Sequence, residues 1–325
     1  MSKEVVTERG KPFQSKLAPY ESEIRELLLN EGKSTREISR EMLLRHQLAV
    51  SHNSVSSFIK THKLSRRSFL DDVPAAKRGE LLQAIKAIWT HDSTAIEGNT
   101  LTIGDTMIVL KYGLTINGKP LKDHQDVVSH ANAVDLISKL VEKPKLEIDD
   151  LFALHRLVIG EIPHDIYKPV GDFKREINGT YGEYKGKSVY MAYAEVDETP
   201  KLMESWLIKF NALLAGDLTE EEVLDAYLFA HTAFVRIHPF YDGNGRIARL
   251  IANLPVLKAG FPPIVVASES RVNYIRSLWD YQHEVGVISL KNADMLPSTP
   301  SLAAFRELVK ASWASTLSLV SEASR

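Results

Sequence analysis

Residues 238–249 hold an unusual concentration of side chains that can do chemistry. The stretch reads His-Pro-Phe-Tyr-Asp-Gly-Asn-Gly-Arg-Ile-Ala-Arg. It supplies a base, a hard oxygen ligand and two cations: His238, Asp242, Arg246 and Arg249. Gly243 and Gly245 flank Asn244, so the backbone can bend there and approach a ligand closely. This combination of residue types points to chemistry on a ligand that carries phosphate.

Two apolar helical segments must position this loop. Residues 225–237 precede it and are apolar on nearly every side. The segment 247–257 follows with helical period and one apolar face. Because the second helix begins in the loop, its unpaired N–H groups and the positive end of its dipole face the loop, an arrangement that binds phosphate. A plain glycine turn between two core helices is the alternative, but it would need neither a base nor two arginines.

The loop closely resembles the signature of the Fic family, His-Pro-Phe-x-(Asp/Glu)-Gly-Asn-Gly-Arg-x-x-Arg, with every fixed position present. The resemblance extends in pattern over about residues 77–290. It implies a mainly α fold, a Fic-type helical bundle with a small β-hairpin flap. Members of this family transfer AMP from ATP to a Tyr, Thr or Ser hydroxyl of a protein. A Fic-like branch that phosphorylates proteins has lysine in place of the Gly-Arg pair, whereas Gly245 and Arg246 are intact here.

The resemblance implies a role for each residue of the loop. His238 would take the proton of the target hydroxyl, and Asp242 would offer oxygen to a Mg²⁺ that bridges the phosphates. Arg246 would neutralise the pyrophosphate leaving group, and Arg249 would hold the γ-phosphate. Asn244 could add a side-chain donor to the backbone N–H groups around it. The expected nucleotide-binding set in the loop is Asp242, Gly243, Asn244, Gly245, Arg246 and Arg249.

A second stretch, Ser93 to Gly98, is similar to the inhibitory motif (Ser/Thr)-x-x-x-Glu-(Gly/Asn) of Fic proteins. In relatives that carry this motif before the core, the glutamate pairs with the last arginine of the signature. Carried over to this chain, the pair is Glu97 with Arg249. A carboxylate on that guanidinium would remove the donors that hold the γ-phosphate. The resemblance therefore implies a self-inhibited enzyme, with Glu97 and Ser93 as the inhibitory residues.

Residues 177–193 are rich in tyrosine and glycine and predict a β-hairpin. In the family a hairpin flap lies over the active-site loop, and a target segment registers there by adding a strand. The flap residues expected near the nucleotide are Val189, Tyr190, Met191 and Ala192. For each of them a purely structural role in the hairpin is an open alternative. Tyr274, in the helix after the loop, is expected to pack on adenine.

Two other positions lie in diverged forms of stretches that are common in Fic proteins. Lys174 stands where arginine is usual and keeps the charge but not the fork, so we expect no catalytic role for it. His155 is expected at the edge of the core rather than as a ligand.

The pattern divides the chain into three parts. Residues 1–70 are expected to form a tail and a helix-turn-helix-like domain, 71–300 a Fic domain with an N-terminal inhibitory helix, and 301–325 a C-terminal helix packed on it. We expect capping boxes at Ser34 and Glu37 in the first part and at Thr219 and Glu222 in the second.

The segment from Lys33 to Arg67 is basic, with eight Lys/Arg against two Glu. Such an excess suits contact with the DNA backbone. In this hypothesis the helix 53–63 enters the major groove, and four residues lie near base edges: Asn53, Ser54, Ser56 and Ser57. A trihelical domain for protein docking or dimerisation is an equal alternative.

Composition sets outer bounds on the interpretation. The chain has 325 residues, 44% hydrophobic content, a net charge of −2 and no cysteine. These values predict one large core with a small extra domain and exclude disulfides and cysteine–zinc sites. Without an apolar leader or a long apolar run, we expect a cytoplasmic protein that does not enter a membrane.

The leading hypothesis is a self-inhibited protein adenylyltransferase that uses ATP and Mg²⁺ and acts on a protein hydroxyl, including its own. A second hypothesis keeps the site and reverses the reaction, so that Glu97 positions water to remove AMP from a modified protein. A third is a DNA-binding regulator whose Fic part senses nucleotide. A homodimer is also open.

Overall fold

The computed structural model describes residues 15–29, 31, 33–62, 64, 68–160, 165–216, 218–292 and 294–325. Most of the expected N-terminal tail lies outside these residues, as do Lys63, Arg66 and Arg67 of the basic segment. The described part is mainly helical with one two-stranded antiparallel hairpin, so the predicted mainly α fold is confirmed. The chain divides into two compact units, Met1–Arg66 and Arg67–Arg325.

The N-terminal unit contains helices α1 (Glu21–Leu29), α2 (Thr35–His46) and α3 (His52–Thr61) in its described part. The capping box at the start of α2 is confirmed, because the Ser34 side chain accepts from the Glu37 N–H while the Glu37 carboxylate accepts from Ser34. Apolar side chains from the three helices form a small separate core: Ile24, Leu27, Ile38, Met42, Val55, Phe58 and Ile59.

The charge on this unit is more balanced in the fold than in the sequence. The four residues expected near base edges are all exposed: Asn53, Ser54, Ser56 and Ser57. Lys33 pairs with Glu41, and Arg45 pairs with both Glu41 and Glu23 of α1. Part of the basic excess is therefore neutralised within the unit, and DNA binding stays a prediction.

The second unit is a helical bundle with a hairpin inserted between α7 and α8. Its helices before the hairpin are α4 (Ala75–Ile96), α5 (Ile103–Tyr112), α6 (Leu121–Leu140) and α7 (Ile148–Ile159). Strands β1 (Gly179–Tyr184) and β2 (Lys187–Ala192) form the hairpin. The helices after it are α8 (Thr199–Leu214), α9 (Glu220–Leu228), α10 (Phe234–Ile237), α11 (Asn244–Ile251), α12 (Asn253–Lys258), α13 (Arg271–Val285) and α14 (Pro300–Ala323). No helix in the described residues is both long and apolar enough to cross a membrane.

Helices α9, α10 and α11 contribute to the main core, and residues 238–249 run from the end of α10 into α11. Thr219 opens α9 with the second predicted capping box. A π-helical turn, Phe229–Ala233, joins α9 to α10. The helix after the loop, expected to run to residue 257, is interrupted at Ala252 between α11 and α12. Pro255 accounts for this break, since it has no N–H to donate to the carbonyl of Ile251.

The hairpin is fixed against α13 by one close approach. In its register, Gly179 pairs with Ala192 and Gly182 with Val189. A Cβ on Gly182 would lie within 2.3 Å of three atoms of the Trp279 indole. Only glycine lets strand β1 lie this close to α13, and this contact brings the base of the hairpin to the loop.

Candidate active site

His238 lies at the end of α10 with a single side-chain hydrogen bond in the described part of the structure. Its backbone has a φ of 52°, a left-handed conformation that is uncommon for a residue with a side chain. Nδ1 lies 3.0 Å from the carbonyl oxygen of Val235. That carbonyl can only accept, so Nδ1 carries the proton and Nε2 is left as the basic nitrogen. Burial lowers the pKa of His238 to about 3, so the ring is neutral and able to accept a proton at neutral pH.

Asn244 braces the loop with its side chain. Its Oδ1 accepts from the Phe240 N–H at 3.0 Å, and its Nδ2 donates to the Phe240 carbonyl at 2.8 Å. The side chain is almost fully buried. The predicted side-chain donation from Asn244 to a phosphate does not fit this geometry, which leaves only its backbone N–H for that role.

The N-terminus of α11 faces the carboxylate of Glu97. Gly243 is the N-cap, in a left-handed conformation, and gives the helix no side-chain cap. The first N–H groups of a helix have no acceptor within it. A Cβ on Gly245 would lie 2.9 Å from Glu97 Oε1. The carboxylate therefore occupies the space in front of the helix N-terminus, where a phosphate would be attracted.

Arg249 is buried, with 3% of its surface exposed, and donates to three residues. Nε and Nη2 donate to Ser93 Oγ and Ser93 O at 3.0 and 2.9 Å. Nη2 also donates to Glu97 Oε1 at 2.7 Å, and Nη1 donates to the Tyr274 hydroxyl at 3.3 Å. Burial alone would raise the pKa of Glu97, but the charge and hydrogen bond of Arg249 outweigh it, and the net pKa is lowered. Glu97 and Arg249 thus form an ion pair at neutral pH.

Arg246 points away from Arg249 and is held by other elements. Its Nη1 donates to the Val158 carbonyl at 3.1 Å and lies 3.6 Å from Asp126 Oδ1 of α6. Its Nη2 lies 3.9 Å from Asp242 Oδ2. Asp242 itself is largely exposed and accepts from the Gly243 N–H at 2.6 Å. Its second carboxylate oxygen is the one that faces Arg246, and Asp242 lines the cavity described next.

A cavity of about 310 Å³ lies over the loop. It brings together most of the site residues expected from the sequence: Glu97, His238, Asp242, Gly243, Asn244, Gly245, Arg249 and Tyr274. Helix α13 lines the cavity with Ile275, Leu278 and Trp279. There, Thr232 Oγ1 and Gln282 Oε1 are buried without a hydrogen-bond partner in the described residues. An apolar recess with unpaired polar atoms suits a flat ring with a polar edge.

Residues 145–256, which include the whole loop, match the Fic/DOC family. This chain therefore contains a Fic/DOC domain. The matched region contains helix α7, whose Val158 carbonyl accepts from Arg246, together with the loop and the helices on either side of it.

Two curated relatives are named as protein adenylyltransferases. The fic-1 protein of Caenorhabditis briggsae is 35% identical over 196 residues, which is 59% of this chain and 36% of the relative. The Fic protein of Nematostella vectensis is 30% identical over 226 residues, 67% of this chain and 49% of the relative. This chain thus spans less than half the length of either protein. A solved Fic domain containing signaling protein from Bacteroides thetaiotaomicron superposes with a TM-score of 0.68 at 28% identity, over 78% of this chain and 92% of that one.

The hairpin of this Fic protein reaches the cavity through different residues from those expected. The predicted flap residues form most of β2, but none of them lines the cavity in the described structure: Val189, Tyr190, Met191 and Ala192. Thr180 of β1 and Tyr193, directly after β2, line it instead. The reason is that β1 lies against α13 through Gly182, so the base of the hairpin, and not the length of β2, borders the site.

Tyr274 also differs from the expectation that its ring packs on adenine. It is 2% exposed, and its hydroxyl joins Arg249 to His231 Nε2, which lies 2.8 Å away. On the same helix, Ile275 and Leu278 line the cavity and are more exposed than Tyr274, and Trp279 lines it as well. Helical spacing could have found them, since Leu278 and Trp279 follow Tyr274 and Ile275 by one turn.

Behind the Fic loop lies a set of supporting residues. Lys174 Nζ donates to Asn178 Oδ1 at 2.8 Å, and Asn178 Nδ2 donates to the Phe240 carbonyl at 2.8 Å. Burial lowers the pKa of Lys174 to about 8. His155, expected at the edge of the core, is fully buried and stacks on Phe240 with ring centroids 4.0 Å apart. These contacts support the loop from beneath and leave its upper surface to the cavity.

Proposed function

We propose that this chain is a self-inhibited protein adenylyltransferase, which transfers AMP from ATP to a Tyr, Thr or Ser hydroxyl of a protein and releases pyrophosphate. The observation that carries the proposal is the ion pair of Glu97 with Arg249 at the N-terminus of α11, inside a cavity that also holds His238. The curated relatives named as protein adenylyltransferases support the same activity.

His238 acts as the general base in this proposal. Its Nδ1–H is engaged with the Val235 carbonyl, so Nε2 takes the proton of the target hydroxyl. The hydroxyl oxygen then bonds to the α-phosphorus while the bond from the α-phosphorus to the bridging oxygen breaks. AMP is left on the target, and pyrophosphate carries away the negative charge.

The phosphates would lie on the N-terminus of α11. The N–H groups of Asn244 and Gly245 donate to phosphate oxygens there, since they have no acceptor within the helix. Arg246 lies beside the leaving pyrophosphate, and Arg249 holds the γ-phosphate once Glu97 has left it. These fixed charges stabilise negative charge where it develops during the transfer.

Asp242 is the residue that would hold Mg²⁺. Its exposed carboxylate borders the cavity, and the described residues contain no cluster of three or more His, Asp or Glu that could bind a metal alone. This donor set fits Mg²⁺, which commonly binds one or two carboxylates together with substrate phosphates. When bound, Mg²⁺ would neutralise phosphate charge.

Glu97 makes the site self-inhibited in this proposal. Its carboxylate binds the guanidinium of Arg249 and occupies the space in front of Gly245. A γ-phosphate therefore has to displace this carboxylate. The hairpin supplies the docking edge for the target protein. Two strands leave outer backbone groups unpaired, and an extended target segment can pair with them.

The test is transfer of label from [α-³²P]ATP with Mg²⁺, to the protein itself and to proteins of a lysate. Glu97→Gly should label far more than wild type, and adding His238→Ala should abolish the signal. Glu142→Gly, which changes an exposed glutamate outside the cavity, is the matched control and should behave as wild type.

Equal labelling by all of these proteins would reject both assignments. Mass spectrometry of the labelled lysate would identify the target and the modified residue. If instead wild-type protein removes AMP from a target that was modified beforehand, and Glu97→Gly loses this activity, the reaction runs in the opposite direction.

Two partner predictions belong with this proposal and need their own measurements. Binding of the N-terminal unit to DNA would appear as a salt-dependent mobility shift of a duplex by the full chain. A homodimer would appear as twice the chain mass in light scattering.

A further inference from the structure

Tyr193 and His238 form a parallel stack in the cavity. Their ring centroids are 3.7 Å apart, and the planes differ by 1°. Tyr193 lies 45 positions earlier in the chain, directly after β2, and 9% of it is exposed. Neither the Fic signature nor any periodic pattern marks this residue.

The Tyr193 ring is held in place independently of the histidine. Its backbone N–H donates to the Asn178 carbonyl at 2.9 Å, which ties the end of the hairpin to its beginning. Tyr193 is also buried, and its hydroxyl faces the side chain of Thr180 in β1. A buried ring whose backbone is tied to the hairpin can serve as a rigid surface for a neighbour.

His238 needs such a surface. The hydrogen bond from Nδ1 to Val235 sets its tautomer but still allows the ring plane to swivel about that bond. The tyrosine ring, parallel to the imidazole, removes this freedom, so Nε2 keeps one direction. The packing of two aromatic faces is favourable with a neutral imidazole, and it gains a cation–π component once the imidazole has taken a proton.

We infer that Tyr193 is a positioning residue, through which the base of the hairpin aims the His238 imidazole and stabilises its protonated form during transfer. The inference rests on the proposed function. Because the effect acts on the reacting state and not on nucleotide binding, it alters kcat and leaves the KM for ATP unchanged. A gain of the size measured for cation–π contacts corresponds to roughly 3- to 30-fold in rate.

The kinetic test uses the Glu97→Gly protein and the rate of self-labelling from [α-³²P]ATP as a function of ATP concentration. Tyr193→Leu should lower the rate at saturating ATP by roughly 3- to 30-fold without changing the half-saturating concentration. Tyr193→Phe keeps the ring and should stay within about twofold of the parent. Tyr112→Leu, the same change at an exposed position on α5, is the matched control.

A spectroscopic measurement tests the stack without relying on activity. A parallel tyrosine ring shifts the imidazole protons of His238 upfield, and the His238→Ala spectrum identifies those resonances. The shift should persist in Tyr193→Phe and disappear in Tyr193→Leu, with all variants showing the circular dichroism of the parent.

Three results would overturn the inference. The first is an unchanged His238 resonance in Tyr193→Leu. The second is an equal loss of rate in Tyr193→Phe and Tyr193→Leu, which would assign the effect to the hydroxyl. The third is a loss that appears in the half-saturating ATP concentration. Absence of any labelling by the Glu97→Gly parent would instead reject the proposed function, and the spectrum would still decide the stack.

Discussion

Glu97 Oε1 lies 2.7 Å from Nη2 of Arg249, although 152 positions of sequence separate the two residues. The same carboxylate also stands in front of the N-terminus of α11. One side chain thus competes for two features that a nucleotide triphosphate would use, the guanidinium and the helix end. The strength of this competition can be measured separately from any transfer of AMP.

We expect ATP with Mg²⁺ to bind Glu97→Gln more tightly than wild type, and Glu97→Gly more tightly still. Glutamine keeps an oxygen that can accept from Arg249 but removes the charge, and glycine removes both. Because a hydrogen bond between charged groups is worth about 1 kcal/mol more than a neutral one, glutamine should gain roughly fivefold and glycine roughly tenfold or more. Isothermal titration calorimetry measures these affinities, with Glu142→Gly as control. Identical affinities for wild type and Glu97→Gly would contradict the competition.

The pH dependence of the ion pair follows from the lowered pKa of Glu97. The pKa in the folded state lies below the ordinary value of 4.5. A group with a depressed folded pKa contributes stability above the unfolded value and loses it as pH falls through the folded one. We therefore expect the difference in Tm between wild type and Glu97→Gln to be constant from pH 8 to 5. It should then change toward a loss of wild-type stability below about pH 4.5.

Thermal unfolding followed by circular dichroism between pH 8 and 3 tests this expectation. Glu142→Gln, at an exposed site, gives the background from other carboxylates. A Tm difference that already drifts between pH 8 and 6 would show that another group governs the pair.

We expect substitution of Asn244 to lower the free energy of unfolding. Asn244→Ala leaves the buried N–H of Phe240 without an acceptor, while the Phe240 carbonyl keeps the donor from Asn178. One unpaired buried donor costs about 1–3 kcal/mol in free energy of unfolding. Asn244→Asp keeps an oxygen for that N–H and should lose less. Urea unfolding of the two variants measures the difference, and an Asn244→Ala protein as stable as wild type would contradict the brace.

The sequence predicted the parts of this site that are local in the chain. Residue types alone predict the glycine-flanked turn at Asn244 and the capping boxes at Ser34 and Thr219. The structure confirms the two capping boxes. Residue types alone cannot assign the Asn244 side chain to a phosphate or to the backbone, because an amide group can bind either. Only the fold reveals which partner is near.

The contacts that the sequence could not reveal join distant segments. The stack of Tyr193 on His238 depends on how far strand β1 settles onto α13, which in turn depends on the absence of a Cβ at Gly182. For the same reason the cavity is bordered by Thr180 and Tyr193 at the base of the hairpin, and not by the residues expected along β2. Side-chain spacing within one strand carries no information about which end of that strand borders a cavity.

Tyr274 gives the last prediction, because its hydroxyl lies between Arg249 and His231. Burial lowers the pKa of His231 to about 3, so its imidazole is neutral and Nε2 can accept. The hydroxyl therefore donates to His231 and accepts from Arg249, which keeps the guanidinium oriented after Glu97 is removed. In the Glu97→Gly protein, Tyr274→Phe should weaken ATP binding about tenfold, since a hydrogen bond to a charged group is lost.

Comparison of ATP with ADP separates this role from contact with adenine. ADP lacks the γ-phosphate that Arg249 would hold, so Tyr274→Phe should leave ADP affinity within about twofold. Tyr227→Phe removes another buried hydroxyl, one without a hydrogen-bond partner in the described residues, and should change neither affinity. If ATP and ADP weaken equally in Tyr274→Phe, the tyrosine acts on the part of the nucleotide that both share. If neither weakens, Arg249 holds its orientation without this hydroxyl.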